Sequence, residues 1–159
     1  PILLGNETAY DRVDNVIKEN IQVDIGMTPE GWFCVKMPVL LPKKEKGNVN
    51  YIRGFLYPAM RKYFSNHECF LSKDCFIVYK HIYDEKRPMR QWRDHDNIEV
   101  NIVTDIIALY TMCDDHPYYC SHLYCSCAGE NDRTEVYVVP NPDINKWIEK
   151  HMHNKTLKE

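Results

Sequence analysis

The sequence predicts a single α/β (α+β) domain, a small mixed sheet with a C-terminal β-hairpin and flanking helices. Three observations carry this reading. Residues 75–83 form an almost unbroken apolar run rich in β-formers, as in a central strand buried on both faces. Residues 118–128 and 133–139 are two strand-like runs joined by Gly129-Glu130-Asn131-Asp132, which reads as a hairpin. The remaining periodic stretches repeat at helical spacing.

A chain of 159 residues, 44% apolar and 27% charged, has the size and composition of one globular domain with its own core. The net charge of -3 gives no global attraction to nucleic acid or to an anionic membrane, so such binding must use a local patch. No apolar run approaches the ~18 residues of a membrane span. The opening Pro-Ile-Leu-Leu-Gly-Asn-Glu lacks the basic and long apolar parts of a signal peptide. Seven irregularly spaced cysteines then read as reduced thiols of a cytoplasmic protein.

In chain order, Tyr10, Val13, Ile17 and Ile21 predict a first helix over 8–21. Met27-Thr28-Pro29-Glu30-Gly31 is a turn, and 32–37 is a strand stopped by Pro38 and Pro42, with 39–41 as an edge between them. Lys43-Lys44-Glu45-Lys46-Gly47-Asn48 is a basic loop, either simply solvated or in contact with phosphate. Residues 51–64 predict a helix in which Pro58 introduces a kink or a new start. A linker with Lys86, Arg87, Arg90, Trp92 and Arg93 follows the central strand.

Asp96 and Glu99 have the form of a capping box opening a helix. Ile98, Ile102, Ile106 and Leu109 form its apolar stripe, and Asn101 and Asp105 share another face. After the predicted hairpin, Asn141-Pro142-Asp143 starts a last helix over 142–153, with Asn as cap, Pro at its first position and Ile144, Trp147, Ile148 and His151 facing inward.

The chemistry concentrates in 93–115. Asp94 and Asp96 open this stretch, and Asp114 and Asp115 close it. Hard divalent cations take carboxylate oxygens, waters and substrate phosphate, and a phosphodiester nuclease uses such an ion to make hydroxide and stabilise the leaving oxygen. The structural alternative makes Asp96 a helix cap and leaves the other aspartates in solvated turns. A straight helix of about fifteen residues is roughly 22 Å long, so the two pairs share one site only if the run bends, ends early or turns back. Lys86, Arg87, Arg90 and Arg93 can hold a phosphate backbone, and Trp92 can stack on a base.

Cys120, His122, Cys125 and Cys127 invite a zinc reading, but on one continuous strand the first two face away from the last two. Packing as small apolar groups is favoured for these thiols. Cys113 with His116 is a pair that seven cysteines and seven histidines supply by chance. No Gly-rich phosphate loop or serine nucleophile elbow is present.

Arg93-Asp94-His95-Asp96-Asn97 followed by Asp114-Asp115 resembles the signature of the RusA-type Holliday-junction resolvases. The similarity spans about 32–139, with the predicted helices over 8–21 and 142–153 as additions. The resemblance implies a RusA-like fold, a homodimer, and Mg²⁺- or Mn²⁺-dependent cleavage of branched or double-stranded DNA. It implies Asp94, Asp96 and Asp115 as catalytic residues, and all four aspartates as metal ligands. Two departures stand out. Val100 occupies the place of a family lysine, and a helical aspartate is displaced by one, to Asp105. The alternative is a non-catalytic DNA- or protein-binding accessory protein of a bacterial mobile element, whose small uncharacterised proteins the chain also resembles.

Overall fold

A computed structural model describes residues 21–69, 72–111 and 120–152. The predicted helix over 8–21 lies outside them apart from Ile21, as do Cys113, Asp114, Asp115 and His116. The fold is α+β: one five-stranded mixed sheet in the order β1-β2-β5-β3-β4, with three helices among the described residues.

Strands β1 (Asp24–Met27) and β2 (Phe33–Met37) form an antiparallel pair, with Asp24 opposite Lys36. The predicted turn joins them. Gly31 takes a φ of 90°, and the Trp32 N–H donates to Thr28 Oγ1 at 3.1 Å. β1 was not expected from the sequence, because Asp-Ile-Gly-Met neither alternates nor favours a strand. Residues 39–41 are not an edge strand; Leu41 instead turns into the core. Helix α1 (Asn48–Asn66) is one continuous element of 19 residues rather than two. Pro58 removes one N–H, and the residue four positions before it is the small Gly54.

β3 (Cys75–Asp84) is central, as its composition predicts. It pairs in parallel with β4 (Cys120–Gly129) and antiparallel with β5 (Arg133–Pro140). This corrects the expected hairpin. The two C-terminal strands follow one another in sequence but are split in space, because β3 lies between them. Tyr79 faces Tyr124 on one side and Val136 on the other. A strand apolar along its whole length gains most where neighbours cover both of its edges. The connection over its end is specific: the Asp84 N–H donates to Asp132 Oδ1 at 2.7 Å, and the Glu85 N–H to the Gly129 carbonyl at 2.8 Å. A Cβ at Gly129 would lie 2.7 Å from Ile82 Cγ2, so the crossing needs glycine there.

Strand alternation divides the core into two layers. Phe33, Val35, Ile77, Tyr79, Val136 and Val138 meet α1 and α2 (Asn101–Thr111), whose Ile52, Leu56, Val103 and Ile107 are buried. On the other face Val78, Tyr137 and Val139 pack on Trp147 of α3 (Ile144–Met152). Ile144 and Ile148 pack there as predicted, and His151 stacks on Trp147. A 3-10 turn, Asn141–Asp143, precedes α3, and Asp143 accepts a hydrogen bond from the Trp32 indole at 3.1 Å.

The predicted capping box does not form. His95–Asn97 is a short 3-10 turn, Ile98 is extended, and α2 begins only at Asn101. The competing force is tertiary. The Glu99 N–H donates to the Pro42 carbonyl at 2.9 Å, and Ile98 bridges Lys43. Ile102 and Ile106 are buried, whereas Leu109 is 68% exposed and is not part of the inner stripe.

Candidate nucleic-acid interface

Residues 84–97 leave the carboxyl end of β3, beside the carboxyl end of its parallel neighbour β4. In open α/β sheets that end is where ligand sites gather. Two 3-10 turns, Met89–Gln91 and His95–Asn97, shape the segment. It is fastened to the sheet from several directions. Arg87 pairs with Asp132, and the Arg93 N–H donates to the Tyr83 hydroxyl at 3.2 Å. The Arg93 guanidinium donates to the Leu41 carbonyl. Trp92 stacks on Tyr83, with ring centres 4.6 Å apart. His95 Nε2 lies 2.7 Å from Ser126 Oγ on β4.

These contacts sort the five cationic and aromatic residues of the linker. Lys86 and Arg90 are exposed. Arg87 and Arg93 hold the segment in place, and Trp92 has one ring face committed to Tyr83. The first acidic pair remains available: Asp94 and Asp96 are both exposed and have no ion-pair partner among the described residues.

A second segment is brought alongside. The Lys44 N–H donates to the Asn97 carbonyl at 3.2 Å, next to the Lys43–Ile98 bridge and the Glu99–Pro42 bond. Asn48 braces the loop through its side-chain amide, which donates to the Lys43 carbonyl at 2.7 Å. Lys43, Lys44 and Lys46 are exposed. The basic loop and the linker thus form one surface, with five exposed cations flanking Asp94 and Asp96.

Asp114 and Asp115 lie outside the described residues, so only the first acidic pair is placed. α2 carries the chain from Asn101 to Thr111, about 16 Å at its rise per residue. The Thr111 carbonyl accepts from the Ser72 N–H at 2.7 Å, just before β3 starts. The helix therefore ends beside the opposite end of β3 from Asp94 and Asp96. Val100, where the resemblance to the RusA-type resolvases leads one to expect a lysine, is 4% exposed and packs in the core. Among the described residues, no group of three or more His, Cys, Asp or Glu side chains is arranged to hold a metal ion. The zinc candidates divide between the layers, with Cys120 in the core beneath α1 and α2 and Cys125 in the core beneath α3.

Sequence reading missed the polar group under this surface. His81 is 1% exposed, its Nε2 has no hydrogen-bond partner, and burial lowers its pKa to about 4, with His95 and Arg93 adding to the effect. Its ring centre is 5.6 Å from that of His95. The only sequence signal was a histidine interrupting an apolar strand. On the opposite sheet face, Asp24, Cys34, Lys36, Tyr137, Lys150 and His151 line a hollow of about 420 Å³. Burial pushes the Cys34 thiol up to about 11, which disfavours a nucleophilic thiolate there.

The chain belongs to the DUF6100 family, a family of unknown function whose model matches residues 1–159. No curated protein matches the sequence. Among solved structures, the periplasmic domain of MotB from Helicobacter pylori is 14% identical, with a TM-score of 0.40 over 87% of this chain and 90% of that one. No helix among the described residues is long and apolar enough to cross a membrane.

Proposed function

We propose that this member of the DUF6100 family binds branched or double-stranded DNA as a diverged relative of the RusA-like resolvases. The phosphate backbone lies on Lys43, Lys44, Lys46, Lys86 and Arg90, and a divalent cation sits between Asp94, Asp96 and phosphate. One observation carries the reading: the backbone bond from Lys44 to Asn97 fixes the basic loop against the acidic segment. Mg²⁺ or Mn²⁺ suits these oxygen donors, and it offsets the repulsion between carboxylates and phosphate. The site works as a homodimer in the cytoplasm, the compartment that keeps the six described free thiols reduced.

Cleavage is the second reading, favoured by the exposure of both Asp94 and Asp96. It calls for Asp114 or Asp115 to complete the metal site, from the same chain or from its dimer partner. The buried Val100 weighs against it, since no cation reaches the surface from that position.

The experiment is a gel assay on a labelled four-way junction and a linear duplex, with Mg²⁺, Mn²⁺ or EDTA. A metal-dependent shift without nicking supports DNA binding alone. Nicking of the junction supports the second reading. The absence of both on either DNA overturns the proposal.

A further inference from the structure

Cys75 and Cys120 begin β3 and β4 and are direct partners in the parallel register. Neighbouring strands lie roughly 4.8 Å apart. That spacing is inside the Cα separation a disulfide spans. Both side chains lie on the α1 and α2 face, in the same core layer, each 3% exposed. The Cys120 thiol donates to the Ser121 carbonyl at 3.8 Å, and His122 is exposed on the same face two residues along β4.

We infer that Cys75 and Cys120 are a site of reversible oxidation, a dithiol that closes into a cross-strand disulfide when a peroxide reaches it. The hydrogen bond from Cys75, then that from His122, holds the Cys120 thiol below its ordinary pKa, while the same contact and burial raise Cys75. His122 lies two residues along β4 on the same face as Cys120, which makes Cys120 the attacking thiol and Cys75 the resolving one.

In the first step the Cys120 sulfur attacks one peroxide oxygen. An S–O bond forms, the O–O bond breaks, and the hydroxide that leaves takes a proton to become water. In the second, Cys75 gives up its proton and its sulfur attacks Cys120. The S–S bond forms, the S–O bond breaks, and a second hydroxide leaves as water. Two thiols lose two electrons and two protons, and one hydrogen peroxide becomes two waters. A low-molecular-weight thiol reverses the bond by exchange.

The test uses the full chain with Cys69→Ser, which removes an exposed thiol free to link molecules. Reduced protein is treated with hydrogen peroxide, freed of the peroxide, unfolded in denaturant and blocked with iodoacetamide. It is then reduced, labelled with N-ethylmaleimide and mapped by mass spectrometry. The expected result is that Cys75 and Cys120 change label together, with their peptides joined before reduction, while Cys34, Cys125 and Cys127 keep the first label. A second arm adds dimedone to Cys75→Ala and expects a trapped sulfenic acid on Cys120. The inference is overturned if neither cysteine of the wild-type pair changes label. It is also overturned if only one does, or if Cys120 gains oxygens while Cys75 stays open. The wild-type arm stands even if the variant fails to fold.

Discussion

The backbone N–H of Lys44 and the carbonyl of Asn97 are 3.2 Å apart, so two loops distant in sequence form one surface. The contact uses main chain only, which leaves the lysine side chains free for a ligand. Replacing Lys43 and Lys44 with glutamate should therefore weaken DNA binding without unfolding the protein. Exposed positions of this kind change stability within about 0.5 kcal/mol. A fluorescence titration on junction DNA, paired with a urea melt, checks both halves.

Asp96 sits in a 3-10 turn rather than at the cap of α2. Asp96→Ala should then leave the urea midpoint nearly unchanged, where removal of a true cap costs ~1 kcal/mol. It should also weaken the dependence of DNA binding on Mg²⁺. Calorimetric titration of the metal with DNA present measures the second effect. A clear drop in stability with unchanged metal dependence would return Asp96 to a structural role.

Asp132 holds the crossing of the split strand pair. It accepts from the Asp84 backbone N–H at 2.7 Å and pairs with Arg87, whose hydrogen bond keeps its carboxyl below the usual aspartate range. Asp132→Ala should cost about 1 kcal/mol, the typical net value of such a bond. A carboxyl with a lowered folded pKa contributes fully above its unfolded pKa of about 3.9 and loses that contribution as pH falls through the folded value. The variant's loss should therefore be present at neutral pH and shrink in acid, as seen by chemical denaturation across pH.

His81 has the same sign by a different route. Burial lowers its folded pKa from 6.5 to about 4, so the unfolded chain takes up the proton first as pH falls. Stability should decline between about pH 6.5 and 4. His81→Phe removes the titrating group and the unpartnered Nε2, and should flatten that limb by on the order of 2 kcal/mol. The limb that remains belongs to His151, also lowered to about 4 by burial and by Lys80. Thermal melts of both proteins from neutral to acid pH would reveal the difference; identical slopes would exclude His81.

The sequence made β3, α1 and α3 legible because their patterns are long and point one way. The apolar run at 75–83 could only be interior, and Trp147 with Ile144 and Ile148 could only face inward. β1 was hidden because four residues with a glycine carry no period, and its pairing depends on β2. The start of α2 misled because Asp96 and Glu99 satisfy a local rule that the Glu99–Pro42 bond overrides. The turn at 129–132 announced a reversal of the chain, but nothing local encodes the strand that passes between its arms. The candidate site was half legible. Asp94, Asp96, Lys86 and Arg90 remain surface residues, while Arg87, Trp92 and Arg93 are bound into the scaffold. A row of cations in a sequence does not say which of them the fold will use.

The most direct test is the salt dependence of binding to a labelled four-way junction, measured by anisotropy in Mg²⁺ for the wild type and for a variant with Lys43, Lys44 and Lys46 changed to alanine. If the basic loop carries phosphates, log K falls linearly with log salt, and each lost contact makes the slope shallower by about 1. The account predicts a steep wild-type slope and a clearly shallower, weaker variant. Equal affinities and slopes for the two proteins, or no binding by the wild type at low salt, would contradict it.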